Sequence, residues 1–246
     1  MIVLLTDFGH QDTYVGEMKA VLASAGIMET VDLCHTIAPG NIQHGQFLLS
    51  TSFDVFPERT VFLAVVDPGV GTSRKAVAVH YKTFWFVGPD NGLFSFAASG
   101  QVFHINSEDS IFKPRLSETF HGRDIFAPTA AEIHRGNTGF LFAVRGLDLL
   151  TPIHFVEKTA EGPGEVLHID HFGNIVTSIR SSLFGKISMR TGNESITSFS
   201  KTFGDGPDGL FIIPGSKGLL EIVARNQRAS DLLKINLMDT VEVELL

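Results

Sequence analysis

The apolar segments of this chain alternate between strand and helix patterns up to residue 155, whereas from residue 163 onward they form mostly short strand patterns. In the first part, the run "IVLLT" is followed by a loop and by the helical pattern "TYVGEMKAVLASAG", and the same order recurs downstream. Such alternation predicts an α/β domain in which helices pack on a sheet. We therefore expect an α/β domain over residues 1–155 and a smaller, mainly β domain, a barrel or a sandwich, over residues 163–246.

Local signals place several elements within these two parts. A clear helix is predicted from Asp124 to His134, with Asp124 as its N-cap and Gly136 as its C-terminal stop. In the second part, β-type runs are separated by Gly, Asn, Asp and Pro, and a brief helical pattern lies at "RASDLL". The runs are "VLHID", "NIVTSI", "KISMR", "SITSFS", "LFIIP", "LLEIVA" and "TVEVELL".

Charge, hydropathy and cysteine content each exclude a class of partner or structure. The formal net charge is -8, and the basic residues are scattered singly, so nucleic acid is not expected as a partner. No apolar run reaches the roughly 18 to 20 residues that span a bilayer, and the N-terminus meets acidic and turn residues too early for a signal peptide. We therefore predict a cytoplasmic protein without a membrane partner. The single cysteine, Cys34, excludes an intramolecular disulfide, and its setting predicts a buried strand thiol.

Two acidic residues flank the loop "TDFGHQD" that follows the first strand. Open α/β sheets bind ligands at the carboxyl ends of their strands, so Asp7 and Asp12 are placed to accept hydrogen bonds from ribose hydroxyls or to hold a divalent metal. The alternative is structural, with Asp7 fixing the turn and Asp12 capping the next helix. The sequence leaves both interpretations open.

The stretch "VVDPGVGTSR" joins an apolar strand to a turn that contains glycine. Only Gly69-Val70-Gly71 resembles a nucleotide-binding motif, so a phosphate loop is not expected. Pro68 restricts Asp67 to extended backbone, which directs its carboxylate into the crevice, and Arg74 is the nearest cation in sequence. An ordinary ion pair that braces the turn is the alternative to a functional site.

The segment "TFHGRDIFAP" places His121 just before the predicted helix. A helix N-terminus disfavours the cationic form of a histidine, and the neutral imidazole can accept a proton or orient a water molecule. A surface histidine without a function is the alternative. The spacing of Asp67, Arg74 and His121 does not match a metal motif such as H-E-x-x-H, and no G-x-S-x-G motif is present.

The segment "IDHFGNIVTSI" mixes an acid, an aromatic ring and an amide in one β-turn-β unit. Phe172 could stack on a base, Asn174 could hydrogen-bond the edge of that base, and Asp170 could bind an ammonium group. The alternative is a hairpin with a core phenylalanine.

Five segments, in this order and spanning most of the chain, together resemble the S-adenosyl-L-methionine hydroxide adenosyltransferase family, the hydrolase relatives of the fluorinases and chlorinases. They are "TDFG", "VVDPGVGTSR", "GPDNGLFS", "TFHGRDIFAPTAA" and "IDHFGNIVTSI". The resemblance implies a Rossmann-like N-terminal α/β domain and a smaller C-terminal β-barrel domain. It also implies a homotrimer, with sites between the N-terminal domain of one subunit and the C-terminal domain of the next. Family members cleave S-adenosylmethionine with water to give adenosine and L-methionine.

The resemblance assigns roles to matching positions of the first domain. The set of Asp, Arg and His that activates water falls on Asp67, Arg74 and His121, and the ribose-binding acids fall on Asp7 and Asp12. In the second domain, the resemblance assigns adenine binding to Phe172, Asn174 and Asn226. It assigns the methionine ammonium to Asp170, and the methionine carboxylate to Ser216 and Lys217. The segment "LEIVARNQR" differs from the family pattern by one extra residue before its Asn.

Halogenating relatives carry Tyr at the place of Asp67 and Ser at that of Gly122, so the chain resembles the branch that uses water. The leaving group is a neutral thioether, so an aligned water, a base and a cation suffice, and no metal or redox cofactor is expected. Two alternatives remain. One is a metal-dependent phosphoesterase that uses Asp7, Asp12, Asp67 and His121, and the other is a nucleoside-binding module without catalysis.

Overall fold

The computed structural model describes residues 1–106, 110–112, 117–147 and 162–246. The chain divides into two compact units, Met1–Pro152 and Ile153–Leu246. The predicted end of the first domain, residue 155, lies outside the described residues. Within the described part of the chain, no helix has the length and apolar character needed to cross a membrane.

The first unit is built on a seven-stranded sheet in the order β2-β1-β3-β5-β4-β6-β7. The strands are β1 (Ile2–Thr6), β2 (Thr30–Cys34), β3 (Val61–Val65), β4 (Ala76–Tyr81), β5 (Phe84–Pro89), β6 (Gln101–Ile105) and β7 (Leu141–Val144). β1 pairs in parallel with β2 and β3, and β3 with β5, whereas β4, β6 and β7 join through antiparallel pairs. Only two residues, Lys82 and Thr83, connect β4 to β5. A connection this short forces an antiparallel hairpin, which strand and helix alternation did not indicate.

Helices cover both faces of this sheet. They are α1 (Tyr14–Ser24), α2 (Ile42–Ser50) and α3 (Ala127–His134). Met18 and Leu22 of α1 and Ala130 of α3 join the core on one face, and Leu49 of α2 packs with Phe62 in the core on the other. Because both faces are covered, β3 is buried along its whole length. β1 and β3 are adjacent parallel strands, so their carboxyl ends lie side by side.

Two local predictions for this unit are wrong. A π-helical turn, Gly122–Phe126, precedes α3, and His121 occupies its N-cap position. Asp124 therefore lies inside the helical segment, where its carboxylate pairs with Arg123 and cannot act as an N-cap. The placement of His121 beside a helix N-terminus is confirmed. Cys34 ends β2 as predicted, but it is half-buried because this strand lies at the sheet edge.

The second unit is a seven-stranded antiparallel sheet in the order β11-β10-β14-β8-β9-β13-β12. Its elements are β8 (Gly162–Ile169), β9 (Ile175–Arg180), β10 (Ile187–Thr191), β11 (Glu194–Ile196), β12 (Leu210–Pro214), β13 (Leu219–Ala224), the helix α4 (Ala229–Leu233) and β14 (Thr240–Leu245). Beyond β11, Phe199 pairs with Ile212 of β12, so the two edges meet and the sheet is nearly closed into a barrel. The predicted short strands and the brief helix are confirmed.

Candidate active site

Asp67 lies just beyond the end of the buried strand β3, and its side chain is only 4% exposed. Arg74 reaches back across the glycine-containing turn, and its own side chain is 7% exposed. Nε of Arg74 donates to Oδ1 of Asp67 at 3.1 Å, and Nη2 pairs with Oδ2. A two-pronged ion pair that is shielded from water holds both groups in fixed positions, unlike a pair on the surface.

The same guanidinium also contacts His121, which lies 47 residues further along the chain. Nη2 of Arg74 is 3.1 Å from Nδ1 of His121. A guanidinium can only donate hydrogen bonds, so Nδ1 must be the acceptor and the neutral ring carries its proton on Nε2. The structure therefore brings Asp67, Arg74 and His121 into one connected cluster with a defined tautomer of the histidine.

The π-helical turn packs closely around this cluster. The ring of Phe126 lies beneath the Arg74 guanidinium, with 5.4 Å between Cζ and the ring centroid. A Cβ atom on Gly122 would lie 3.0 Å from the Phe120 ring and 3.1 Å from Sδ of Met18, so there is little room for a side chain. π-Helical turns are rare and occur frequently at functional sites.

Asp7 follows β1 and lies beside this cluster, whereas Asp12 lies further along the loop. Oδ2 of Asp7 accepts a hydrogen bond from the backbone nitrogen of Gly40 at 2.8 Å. Burial raises the pKa of the Asp7 carboxyl, and the nearby charge of Asp67 raises it further. Asp12 is exposed before α1, and Thr13 occupies the N-cap position of that helix. The structure thus joins Asp7, but not Asp12, to the surroundings of Asp67.

An ion network that the sequence did not reveal holds the π-helical turn against α1. Arg123 donates to both carboxylate oxygens of Asp124, at 2.7 and 2.9 Å, and to Glu17 at 2.8 Å. These hydrogen bonds raise the pKa of the Arg123 guanidinium. The backbone nitrogen of Ser117 donates to Asp124 at 2.8 Å, which fixes the segment that leads to His121. Sequence spacing gave no signal for a pair separated by 106 residues.

Three aromatic side chains form a second link that sequence analysis missed. The ring centroid of Phe120 lies 5.9 Å from that of Phe8 and 5.2 Å from that of Tyr14, and the Phe8 and Tyr14 centroids are 5.5 Å apart. This cluster joins the loop after β1 to the segment before His121. Tyr14 is the first residue of α1, and it is 46% exposed.

In the second unit, Asp170 organises the turn between β8 and β9. Its Oδ1 accepts hydrogen bonds from the backbone nitrogens of Phe172 and Asn174, both at 2.9 Å. Its Oδ2 accepts one from Nδ2 of Asn174, also at 2.9 Å. These donors hold the Asp170 carboxylate in one orientation, while the ring of Phe172 stays 72% exposed. Phe172 is therefore not the core residue that the structural alternative required.

Phe172 lines a cleft of about 490 Å³ within the second unit. The other lining residues are Asn174, Phe203, Ala224, Asn226 and Gln227. Phe203 is 53% exposed, so the cleft has two accessible aromatic side chains as well as amide groups. A flat heteroaromatic ring can stack on such rings and hydrogen-bond to such amides. Sequence analysis missed Phe203 because it lies in a segment without a motif.

Ser216 and Lys217 are exposed in the turn between β12 and β13. The turn is tight, because the backbone nitrogen of Gly215 donates to Leu219 at 2.8 Å and that of Gly218 donates to Gly215 at 3.2 Å. It presents a hydroxyl and an amino group next to each other, and both can donate to a carboxylate.

Among the described side chains, no group of three or more His, Cys, Asp and Glu could hold a metal ion. Asp67 and His121 do lie close together, but the guanidinium of Arg74 contacts both of them. A fixed positive charge at this position opposes the binding of a divalent cation.

Both units match models of a single family. Residues 2–140 match the SAM hydroxide adenosyltransferase N-terminal domain, and residues 164–242 match the C-terminal domain of the same family. The chain belongs to the SAM hydroxide adenosyltransferase family. The family resemblance drawn from five sequence segments is therefore confirmed.

Several named relatives and a solved structure match most or nearly all of the chain. An (R)-S-adenosyl-L-methionine hydrolase from Methanocaldococcus jannaschii is 34% identical over 99% of this chain and 95% of its own. Another from Thermus thermophilus is 36% identical over 94% of each chain. A fluorinase from Actinopolyspora mzabensis is 26% identical over 73% of this chain and 71% of its own. The crystal structure of an uncharacterised conserved protein from Thermotoga maritima superposes with a TM-score of 0.90, at 35% identity over 99% of each chain.

Proposed function

We propose that this protein hydrolyses S-adenosyl-L-methionine to adenosine and L-methionine by attack of water on C5′. The observation that carries the proposal is the cluster of Asp67, Arg74 and His121, held by a buried ion pair in a chain of this family. The hydrolase relatives are named for the (R) form of the substrate, and we propose the same preference here.

The proposed step breaks the C5′–S bond and forms a C5′–O bond. The electron pair of the broken bond stays on sulfur and gives a neutral thioether, so the leaving group needs no proton. We assign the proton acceptor to Asp67, because His121 carries its ring proton on Nε2 and donates from there to the oxygen of the water. Arg74 stabilises the negative charge that develops on that oxygen.

Contacts to the rest of the substrate follow the chemistry of the remaining site residues. Asp7 and Asp12 would accept hydrogen bonds from the ribose hydroxyls. Adenine would bind in the cleft of the second unit, where it would stack on Phe172 and hydrogen-bond to the amides of Asn174 and Asn226. The orientation of the Asp170 carboxylate supports binding of the methionine ammonium, and the turn of Ser216 and Lys217 supports binding of the methionine carboxylate.

We also propose the assembly that the family resemblance implies. It is a homotrimer in which each site combines groups from two subunits. The parallel strands β2, β1, β3 and β5 support a Rossmann-like description of the first unit, because Asp7 and Asp67 both follow carboxyl ends of these strands. A cytoplasmic location and the absence of a cofactor stay predictions.

Incubation with the separated (R) and (S) epimers of S-adenosylmethionine tests the activity directly. We expect adenosine and L-methionine in equal amounts, formed faster from the (R) epimer and at the same rate in excess chelator. Chromatography of the products at timed intervals provides the measurement. Loss of activity with chelator would favour the metal-dependent alternative, whereas binding without product after prolonged incubation would favour a nucleoside-binding module.

The donor role of His121 predicts different effects for two substitutions. His121→Gln keeps a side-chain N–H donor and should retain most of the rate, whereas His121→Leu should lose about 10²- to 10³-fold in kcat, as for the loss of one oriented donor. Steady-state kinetics of adenosine release compares the two variants. Equal losses in both would show that His121 takes the proton instead of orienting the water.

A further inference from the structure

Glu221 is a buried acid that the proposed reaction does not use. It lies in β13 and is 9% exposed. Among the described residues, none makes a hydrogen bond or an ion pair with its carboxyl group. Burial raises the pKa of this carboxyl, and the charge of Asp170 raises it further. A largely buried carboxylate without a donor is energetically unfavourable unless a ligand supplies the donor.

Two neighbours locate this carboxyl group within the second unit. Oε1 of Glu221 occupies the space that a Cβ atom on Gly215 would fill, so it lies against the backbone just before Ser216. Ile175 of β9 pairs with Ile169 on one side and with Ile222 on the other, so Asp170 and Glu221 each lie next to a residue of the same row across the sheet. Glu221 therefore lies between Asp170 and the turn that carries Ser216 and Lys217.

The two acids differ in how their hydrogen-bonding capacity is used. Asp170 already accepts three hydrogen bonds, from the backbone nitrogens of Phe172 and Asn174 and from the amide of Asn174. Glu221 receives none from the described residues and can use both oxygens for a ligand. Two neighbouring carboxylates, one of them without a donor, form a site for a positively charged group that can donate hydrogen bonds.

We propose that Glu221 is a substrate-binding residue that, together with Asp170, holds the α-ammonium group of the methionine part of the substrate. This inference rests on the proposed function, because the methionine part carries the only primary ammonium group of that substrate. An ammonium group offers three donors, which matches acceptors from more than one carboxylate. The donors of Ser216 and Lys217 lie in the adjoining turn, and acceptors beside donors suit the zwitterionic end of an amino acid.

A bound metal ion is the other cation that two carboxylates attract. The described residues contain no third acidic, histidine or cysteine ligand at this position. Hard divalent cations usually take six or more oxygen ligands, so this pair fits an ammonium group better.

Isothermal titration with L-methionine, in the presence of saturating adenosine, tests the inference without relying on turnover. Glu221→Gln should raise the Kd for L-methionine by about 10- to 100-fold, in line with the loss of one charged hydrogen-bond partner. The Kd for adenosine alone should stay unchanged. Glu194→Gln, a substitution of an exposed glutamate in β11, is the matched control and should change neither value. Thermal unfolding should show Glu221→Gln to be at least as stable as the native protein, because a buried charge is removed.

An unchanged Kd for L-methionine in Glu221→Gln would overturn the inference, and so would an equal loss of affinity for adenosine, which indicates a structural role. Failure of the native protein to bind L-methionine would also overturn it. Kinetics with an analogue that lacks the α-amino group, the adenosyl sulfonium of 4-(methylthio)butanoate, gives a second test, since Glu221→Gln should raise KM for S-adenosylmethionine but not for this analogue. If the native protein binds L-methionine through Glu221 but releases no adenosine, the proposed function fails while this inference stands.

Discussion

Replacing Asp67 with Asn is expected to lower kcat for adenosine release by up to about 10⁴-fold, the upper range for loss of a general base. The carboxamide has almost the same shape and still offers Oδ1 to Nε of Arg74, but it cannot take a proton from water. Arg74 also keeps its hydrogen bond to the carbonyl of Lys75, at 3.0 Å, and its contact with the Phe126 ring. The variant should be less stable than the native protein, because Nη2 of Arg74 loses its acceptor, but these remaining contacts should keep it folded and able to bind adenosine.

Timed product chromatography measures the rate of this variant, and calorimetry with adenosine measures its binding. Asp54→Asn is the matched control, because Asp54 is exposed in the short helical turn Phe53–Val55, outside the cluster. A rate for Asp67→Asn within tenfold of native would remove Asp67 from the proposed mechanism. Loss of adenosine binding together with activity would indicate that the substitution disrupts the fold.

Replacing Arg74 with Met is expected to destabilise the first unit by about 3–5 kcal/mol, in addition to abolishing turnover. The substitution leaves the 4% exposed carboxylate of Asp67 without its cation, and an unpaired buried charge is strongly unfavourable. The double variant Asp67→Asn, Arg74→Met removes both charges, so its stability should return to near the native value while activity stays lost.

Urea unfolding followed by tryptophan fluorescence measures this effect, because the single tryptophan, Trp85, lies in β5 of the first unit. Arg74→Lys is an informative third variant, since an ammonium restores the charge but cannot form the two-pronged contact. A stability loss below about 1 kcal/mol for Arg74→Met would show that the pair behaves as a solvated surface pair. In that case the cluster would lack the rigidity on which the mechanism depends.

Each unit contains a carboxyl group whose pKa is raised by burial and by a neighbouring carboxylate. In the first unit this is Asp7 beside Asp67, and in the second it is Glu221 beside Asp170. A sulfonium substrate that also carries an ammonium group brings positive charge to such positions. Both places therefore favour a cationic ligand over an anionic one, in agreement with the net charge of -8.

The order of elements and several site positions could be predicted from the sequence because local physical chemistry determines them. The apolar run of β3, followed by Asp67 and Pro68, places an acid at a strand end, and strand ends are where α/β sheets bind ligands. His121 before a helix and the turn of Asp170 and Asn174 follow from equally local signals. The five motifs together also determined the family.

Only the tertiary structure decided the contacts between residues that are distant in sequence. Arg74 could be identified as the partner of Asp67, but only the packing of the π-helical turn brings His121 to the same guanidinium. Phe203 and Glu221 carry no local signal, because a phenylalanine in a loop and a glutamate in a strand are ordinary in sequence. Their significance depends on exposure, burial and neighbours, and these are fixed by the pairing of strands that lie far apart along the chain.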